Sequence, residues 1–147
     1  MKRVYVNPEF CLGCKLCEIH CIAAHSKHRN NVLKAFKETR FRPVSRVIVE
    51  GDNLNSFAVQ CRHCDEMFCA KACITGALQK DPKTGAVAIE ESRCVGCWTC
   101  VLACPFGAVF RHYGEKKYAV KCDLCGGEES DPACVKHCPN EALVLRE

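Results

Sequence analysis

Four cysteines in the run Cys94-Val-Gly-Cys97-Trp-Thr-Cys100-Val-Leu-Ala-Cys104-Pro105 constrain this chain more than any other stretch. The spacing is C-x2-C-x2-C-x3-C-P. Three thiolates separated by pairs of residues on a tight loop can wrap three corners of a cubane. The cysteine four positions on lies one helical turn away and faces a different site. Pro105 cannot continue a helix and starts a new segment. This is the spacing that holds a [4Fe–4S] cluster and lends its fourth cysteine to a second cluster.

The same arrangement recurs along the chain. All sixteen cysteines fall into four groups of four: Cys11, Cys14, Cys17 and Cys21; Cys61, Cys64, Cys69 and Cys73; Cys94, Cys97, Cys100 and Cys104; Cys122, Cys125, Cys134 and Cys138. The spacings are x2-x2-x3, x2-x4-x3, x2-x2-x3 and x2-x8-x3, so the final step is constant. This is an internal repeat, and it takes precedence over local detail.

An even cysteine count is also what a disulfide framework needs. The opening residues Met1-Lys2-Arg3-Val4-Tyr5-Val6 carry no apolar leader. No run approaches the roughly 18 apolar residues of a membrane span. The expectation is a cytoplasmic chain in a reducing compartment, where thiols bind metal rather than each other. The formal charge of +4 then misleads. Each oxidised four-thiolate cluster adds roughly −2, so four bring the total to about −4. The basic excess is weak evidence for nucleic acid.

Short strands are predicted at 2–6, 44–50, 56–60, 86–89 and 141–145. Residues 44–60 form a hairpin about Gly51-Asp52-Asn53, and 107–121 form another about Tyr113-Gly114-Glu115-Lys116. Asp81-Pro82-Lys83-Thr84-Gly85 is a turn, and Cys14 to about Ala24 is a short helix. The tail strand is expected beside the first. Short strands and one-turn helices between cluster loops give an α+β, ferredoxin-like arrangement. The apolar core must be thin, with valines such as Val4, Val59 and Val109 packed around clusters, and the apo chain is expected to be largely unfolded.

Residues 25–46 are basic, with Lys27, Arg29, Lys34, Lys37, Arg40, Arg42 and Arg46 against Glu38. Two readings stand: a solvated loop with a short helix, or a docking surface for an acidic partner. Nucleic-acid binding is a distant third, since Phe36 and Phe41 form no stacking motif.

Sixteen thiolates divided among four clusters leave no iron with an open position, and catalytic metals need one. No phosphate loop, dinucleotide fingerprint or nucleophile elbow is present. The residues therefore argue for electron transfer, not catalysis. The alternative of another class is a zinc-stapled interaction module. Cys122-x2-Cys125-x8-Cys134-x3-Cys138 could pass for such a site, but three cysteines in successive x2 steps suit a cubane better than paired zinc knuckles. Colour separates the two. His20, His63 and His137 lie beside ligand cysteines. They are read as surface or hydrogen-bonding residues, with tuning of potential as a second reading and no ligand role. Trp98 and Phe106 are read as packing against clusters.

Taken together, the x4 and x8 spacings and Cys104-Pro-Phe-Gly-Ala108 resemble the four-cluster ferredoxin subunits of the dimethyl-sulfoxide-reductase beta-subunit type. These include the iron–sulfur subunits of formate dehydrogenases, membrane-bound hydrogenases and carbon monoxide dehydrogenase. The stretch Val4-Tyr-Val-Asn-Pro-Glu-Phe-Cys-Leu-Gly-Cys-Lys-Leu-Cys17 and Cys61-Arg-His-Cys64 look most like the electron-transfer subunit of carbon monoxide dehydrogenase. The resemblance implies crossed ligation. One cluster takes Cys11, Cys14, Cys17 and Cys138, and a second takes Cys122, Cys125, Cys134 and Cys21. A third takes Cys61, Cys64, Cys69 and Cys104, and the fourth takes Cys94, Cys97, Cys100 and Cys73. It implies two pseudo-symmetric two-cluster units, the outer at about 1–56 plus 106–147 and the inserted at about 57–105. Some relatives replace a group-three cysteine with tryptophan and hold a three-iron cluster. Here Cys97 is present, so four four-iron clusters are expected. Some relatives also carry a C-terminal anchor. This sequence ends at Glu147 without one, so membrane attachment is expected only through a partner.

The function expected is relay of single electrons from a catalytic subunit, carbon monoxide dehydrogenase first, to a hydrogenase or flavin oxidoreductase. The alternative within that class is the beta subunit of a formate dehydrogenase or other molybdopterin oxidoreductase.

Overall fold

The structure, a computed structural model, describes residues 2–29, 31–37, 42–52, 55–82, 84–127 and 131–147, with the side chains of 126 and 127 excepted. Its strands pair only in twos, all antiparallel. β1 (Arg3–Val6) lies beside β8 (Leu143–Arg146), and β2 (Val47–Gly51) beside β3 (Ser56–Gln60). β4 (Leu78–Lys80) lies beside β5 (Val87–Ile89), and β6 (Val109–Tyr113) beside β7 (Lys117–Lys121). Five short helices separate them: α1 (Leu16–Ala24), α2 (Val32–Lys37), α3 (Phe68–Lys71), α4 (Thr99–Ala103) and α5 (Ala133–Lys136).

The terminal pairing follows from sequence. Val4 faces Leu145 and Val6 faces Leu143 across the β1–β8 ladder, which brings the two chain ends together. The β2–β3 hairpin depends on Gly51. Its φ is +114°, and a Cβ there would sit 1.9 Å from the Asn55 carbonyl oxygen, so no other residue fits without rebuilding the turn. Asn53, in the expected turn, lies outside the described residues. The β6–β7 hairpin closes between Tyr113 and Lys117 as expected.

Several bounds differ: β2 begins at Val47 and not at 44, and β8 covers Leu143–Arg146 and not 141–145. α1 begins at Leu16, not Cys14, because Lys15 holds a left-handed φ of 59° and cannot join a right-handed helix. Strand β4 was not anticipated. Leu78-Gln-Lys is too short to show alternation, and it is a strand because β5 pairs with it, Leu78 opposite Ile89.

Two-stranded ribbons are marginal by themselves, so each must lean on something else. The first core gathers Val4, Val47, Val49 and Leu143 around Cys17, Cys21, Cys122 and Cys134. The second gathers Leu78, Val87, Val109 and Ala119 around Cys100. The hairpin β6–β7 belongs to this second core, and β3 to the first. Both cores are thin, and cysteines stand inside them, as the sequence implied. No described helix is long and apolar enough to cross a membrane.

Candidate metal centres

The sequence repeat is a repeat of backbone shape. The residue just before the second cysteine of each group has a positive φ: Gly13 at 65°, His63 at 45°, Gly96 at 68° and Leu124 at 56°. So does the residue two before the third cysteine in groups one to three: Lys15, Met67 and Trp98. Each of these precedes the first residue of its helix, α1, α3 or α4. A third left-handed position follows the last cysteine by three residues at Gly76, Gly107 and Glu141, and closes a turn back onto Cys73, Cys104 and Cys138. In group one α1 runs on instead. Left-handed residues curl the chain so that successive amide N–H groups point inward, which makes a nest for an anion. Non-glycine residues adopt this shape at about 1–2 kcal/mol each, so its repetition marks a loop shaped for a purpose.

Three cavities sit inside these loops. One, partly open to solvent, is lined by Cys11, Cys14, Cys17 and Cys138. A second is lined by Cys61, Cys64, Cys69 and Cys104. A third is lined by Cys73, Cys94, Cys97 and Cys100. Each takes three cysteines from one group and the last cysteine of another. Helix packing explains the exchange. α1 packs on α5, and the rings of His20 and His137 stack at 3.6 Å beside Cys21 and Cys138. α3 packs on α4 in the same way. Among the described residues no three His, Cys, Asp or Glu side chains are placed to hold a single metal ion. The cysteines ring a space.

The remaining cysteines, Cys21, Cys122, Cys125 and Cys134, are close neighbours. Burial pushes the Cys134 thiol well above its ordinary range, and the charges of Cys122, Cys21 and Cys125 raise it further. Burial raises Cys122 to about 12, with smaller effects from Cys61 and Cys21. Cys61 belongs to the second cavity, so these two sites adjoin. Cys17 is pushed up to about 12 and Cys100 to about 11, again mainly by burial. Such thiols stay protonated as free groups, and a coordinating metal must displace the proton.

Among the buried thiols Cys21 is the exception. Burial would raise it, but hydrogen bonding and the charge of His25, with the Arg46 amide at 3.2 Å, leave it lowered. Behind it lies a half-buried network. His25 Nε2 is 3.1 Å from Asp123 Oδ1, Asp123 pairs with Arg46, and Asp123 Oδ1 also accepts the Cys125 N–H at 3.0 Å. Burial alone would lower His25, yet Asp123 and Cys21 raise it to about 9. Other sulfurs also have donors: the His63 amide to Cys61, the Ala108 amide to Cys104 and the Ala133 amide to Cys125, at 3.3–3.5 Å. Amides aimed at sulfur stabilise thiolate and metal-bound forms.

Phe106 and Trp98 line the second and third cavities, as their reading as packing residues implied. Arg111 also covers the Trp98 ring. The basic segment is only partly a surface. Arg46 turns inward to Asp123, and Arg42 covers the Phe36 ring at 4.7 Å. Glu38, Arg40 and Phe41 lie outside the described residues. Sequence reasoning missed the His25–Asp123 contact, which joins residues too far apart in sequence for spacing to reveal. It also missed the burial of His63, which burial and then Lys121 hold at a pKa of about 3.

A family model described as a 4Fe-4S dicluster domain matches residues 53–147. The chain belongs to that family. It is an iron–sulfur protein of ferredoxin type, with [4Fe–4S] clusters as its cofactors. The cavities fit such a group in their thiols, their nests and their sulfur-directed amides. The “Putative electron transport protein YsaA” of Escherichia coli strain K12 is 40% identical over 90% of this chain and 82% of its own length. The “Electron transport protein HydN” of the same strain is 37% identical over 91% of this chain and 81% of its own. Among solved structures, the active site complex BamBC of benzoyl coenzyme A reductase aligns with all of this chain and 80% of the matched chain. The TM-score is 0.50 and the identity 26%.

Proposed function

We propose that this dicluster-family protein is an electron-transfer subunit with four [4Fe–4S] sites. The ligand sets are Cys11, Cys14, Cys17 and Cys138; Cys122, Cys125, Cys134 and Cys21; Cys61, Cys64, Cys69 and Cys104; and Cys94, Cys97, Cys100 and Cys73. The observation that carries this reading is the three cavities, each ringed by a crossed cysteine quartet. Clusters bound there supply one-electron chemistry and, being fully ligated, no open metal site. The protein's own residues hold the thiolates, aim amides at sulfur and exclude water. The names of YsaA and HydN favour electron transport over catalysis.

Cys61 of one site acts on Cys122 of another, and we place the four sites in a line about that junction. Cys14 and Cys97, which are exposed, stand in its two end sites, while Cys122 and Cys134 of an inner site are buried. That suits entry of electrons at one end and exit at the other. The line falls into an outer and an inserted two-site unit, and the two cores favour counting β6–β7 with the inserted one. The partners we assign are a catalytic redox subunit, carbon monoxide dehydrogenase first, and a downstream hydrogenase or flavin oxidoreductase, in the cytoplasm or at a membrane through a partner.

The test is anaerobic. The purified chain should be brown and carry about sixteen irons and as much acid-labile sulfide. Catalytic carbon monoxide dehydrogenase under CO should bleach it quickly. No bleaching, with dithionite still effective, rejects that donor and favours formate dehydrogenase. A colourless, zinc-bearing protein rejects the relay altogether.

A further inference from the structure

The cavity of Cys61, Cys64, Cys69 and Cys104 has walls unlike those of the other two. A lysine and a histidine line it, and both are shut away from water: Lys121 is 2% exposed and His63 0%. The only charged side chain in the linings of the other two cavities is Lys15, which is exposed. Arg62 also lines this one, but it is exposed and lies over the Phe106 ring at 4.6 Å.

Lys121 Nζ donates to the Val87 carbonyl and, at 2.9 Å, to the Cys122 carbonyl. An ammonium has three N–H groups, so these leave one over. Among the described residues no carboxylate lies within ion-pair distance of it. A buried ammonium without counter-charge is strongly unfavourable. His63 holds a left-handed backbone where groups one and three use glycine. Its Nδ1 accepts the Val87 N–H at 3.0 Å, which puts the proton of a neutral ring on Nε2. That Nε2 is buried and has no partner, and a buried donor without an acceptor is rare. Both groups ask for negative charge and acceptor atoms. A four-thiolate cluster is dianionic when oxidised and gains a further negative charge on reduction. A fixed cation and a donor beside it favour the reduced form.

We propose that Lys121 and His63 are positioning residues that draw the electron to the cluster held by Cys61, Cys64, Cys69 and Cys104, at the junction of the two cores. The inference rests on the four-site reading. The bland role for Lys121 is to tie β7 to β5. That role would affect melting and cluster loading but not the potential of one cluster.

The experiment is a redox titration followed by EPR on the anaerobically reconstituted full chain, parent against Lys121→Gln and Lys121→Arg. Gln removes the charge and keeps a donor, while Arg keeps the charge. With iron content unchanged, Lys121→Gln should make one cluster at least tenfold harder to reduce, which for one electron is about 59 mV. That cluster should be the one whose signal changes in Cys69→Ser. Lys121→Arg should restore most of the shift, and His63→Phe should move the same cluster in the same direction. Fully loaded variants with unmoved potentials overturn the proposal. If the variants do not load, the parent still decides, because the inference fails if the Cys69-dependent cluster is the hardest of the four to reduce. A parent without iron–sulfur clusters overturns the four-site reading itself, an outcome distinct from either.

Discussion

Replacing Cys21 by Ala tests the exchange of ligands between the ends of the chain. Cys21 follows Cys17 by one helical turn on α1, so sequence proximity alone would assign it to the site of Cys11, Cys14 and Cys17. In the structure it neighbours Cys122, Cys125 and Cys134, and the cavity of the first group receives Cys138 instead. Cys21→Ala should therefore damage the site of group four and spare that of group one. The iron lost should lie between one atom and a whole cluster, about one sixteenth to one quarter of the total. Double variants sharpen the test, because ligands of one site cannot be lost twice. Cys21→Ala with Cys134→Ala should lose no more than one cluster, whereas Cys21→Ala with Cys17→Ala should approach two. The assay is iron and sulfide per chain with EPR of the reduced protein. If the Cys21–Cys17 pair were non-additive and the Cys21–Cys134 pair additive, the crossed ligation would be wrong.

Other consequences follow from the same geometry. Asp123→Ala leaves His25 and Arg46 without their shared carboxylate and the Cys125 amide without its acceptor. Because the network is half-buried, the substitution should lower stability by about 1–3 kcal/mol, read as a fall in melting temperature of the loaded protein. Gly107→Ala, at a φ of +60° with open space around its Cβ, should cost only the backbone strain, about 1–2 kcal/mol. Gly96→Ala, at a φ of +68°, also places a Cβ 2.9 Å from the Lys117 carbonyl oxygen and should cost measurably more. Cluster assembly displaces protons from thiols, so iron uptake should release acid and tighten as pH rises; uptake indifferent to pH between about 6 and 8 would contradict thiol ligation. Stripping the iron with a chelator should abolish most secondary structure by circular dichroism, because each two-stranded ribbon is marginal alone.

What was legible in the sequence was whatever is encoded in short, local spacing. The four cysteine groups, the helix after Cys14, the hairpins about Gly51 and Gly114 and the strand at the tail are all within-segment patterns. That the tail strand lies beside the first was legible because Val4-Tyr-Val6 and Leu143-Val-Leu145 are short apolar runs at the chain ends, neither with a hairpin neighbour; the register, Val4 opposite Leu145, was not. Spacing cannot say which distant segments meet. The His25–Asp123–Arg46 network and the buried Lys121 depend on how the first core packs on the second, and no periodicity reports that. His63 is an intermediate case. Its position before Cys64 matches Gly13 before Cys14 and Gly96 before Cys97, and that alignment identifies a left-handed backbone in the group-two loop. A histidine is a poor choice for such a shape if shape is all that matters, because glycine makes it without strain. Its presence there therefore calls for a reason in the side chain. The structure supplies a place for one, a buried imidazole beside a buried ammonium in the wall of the same cavity.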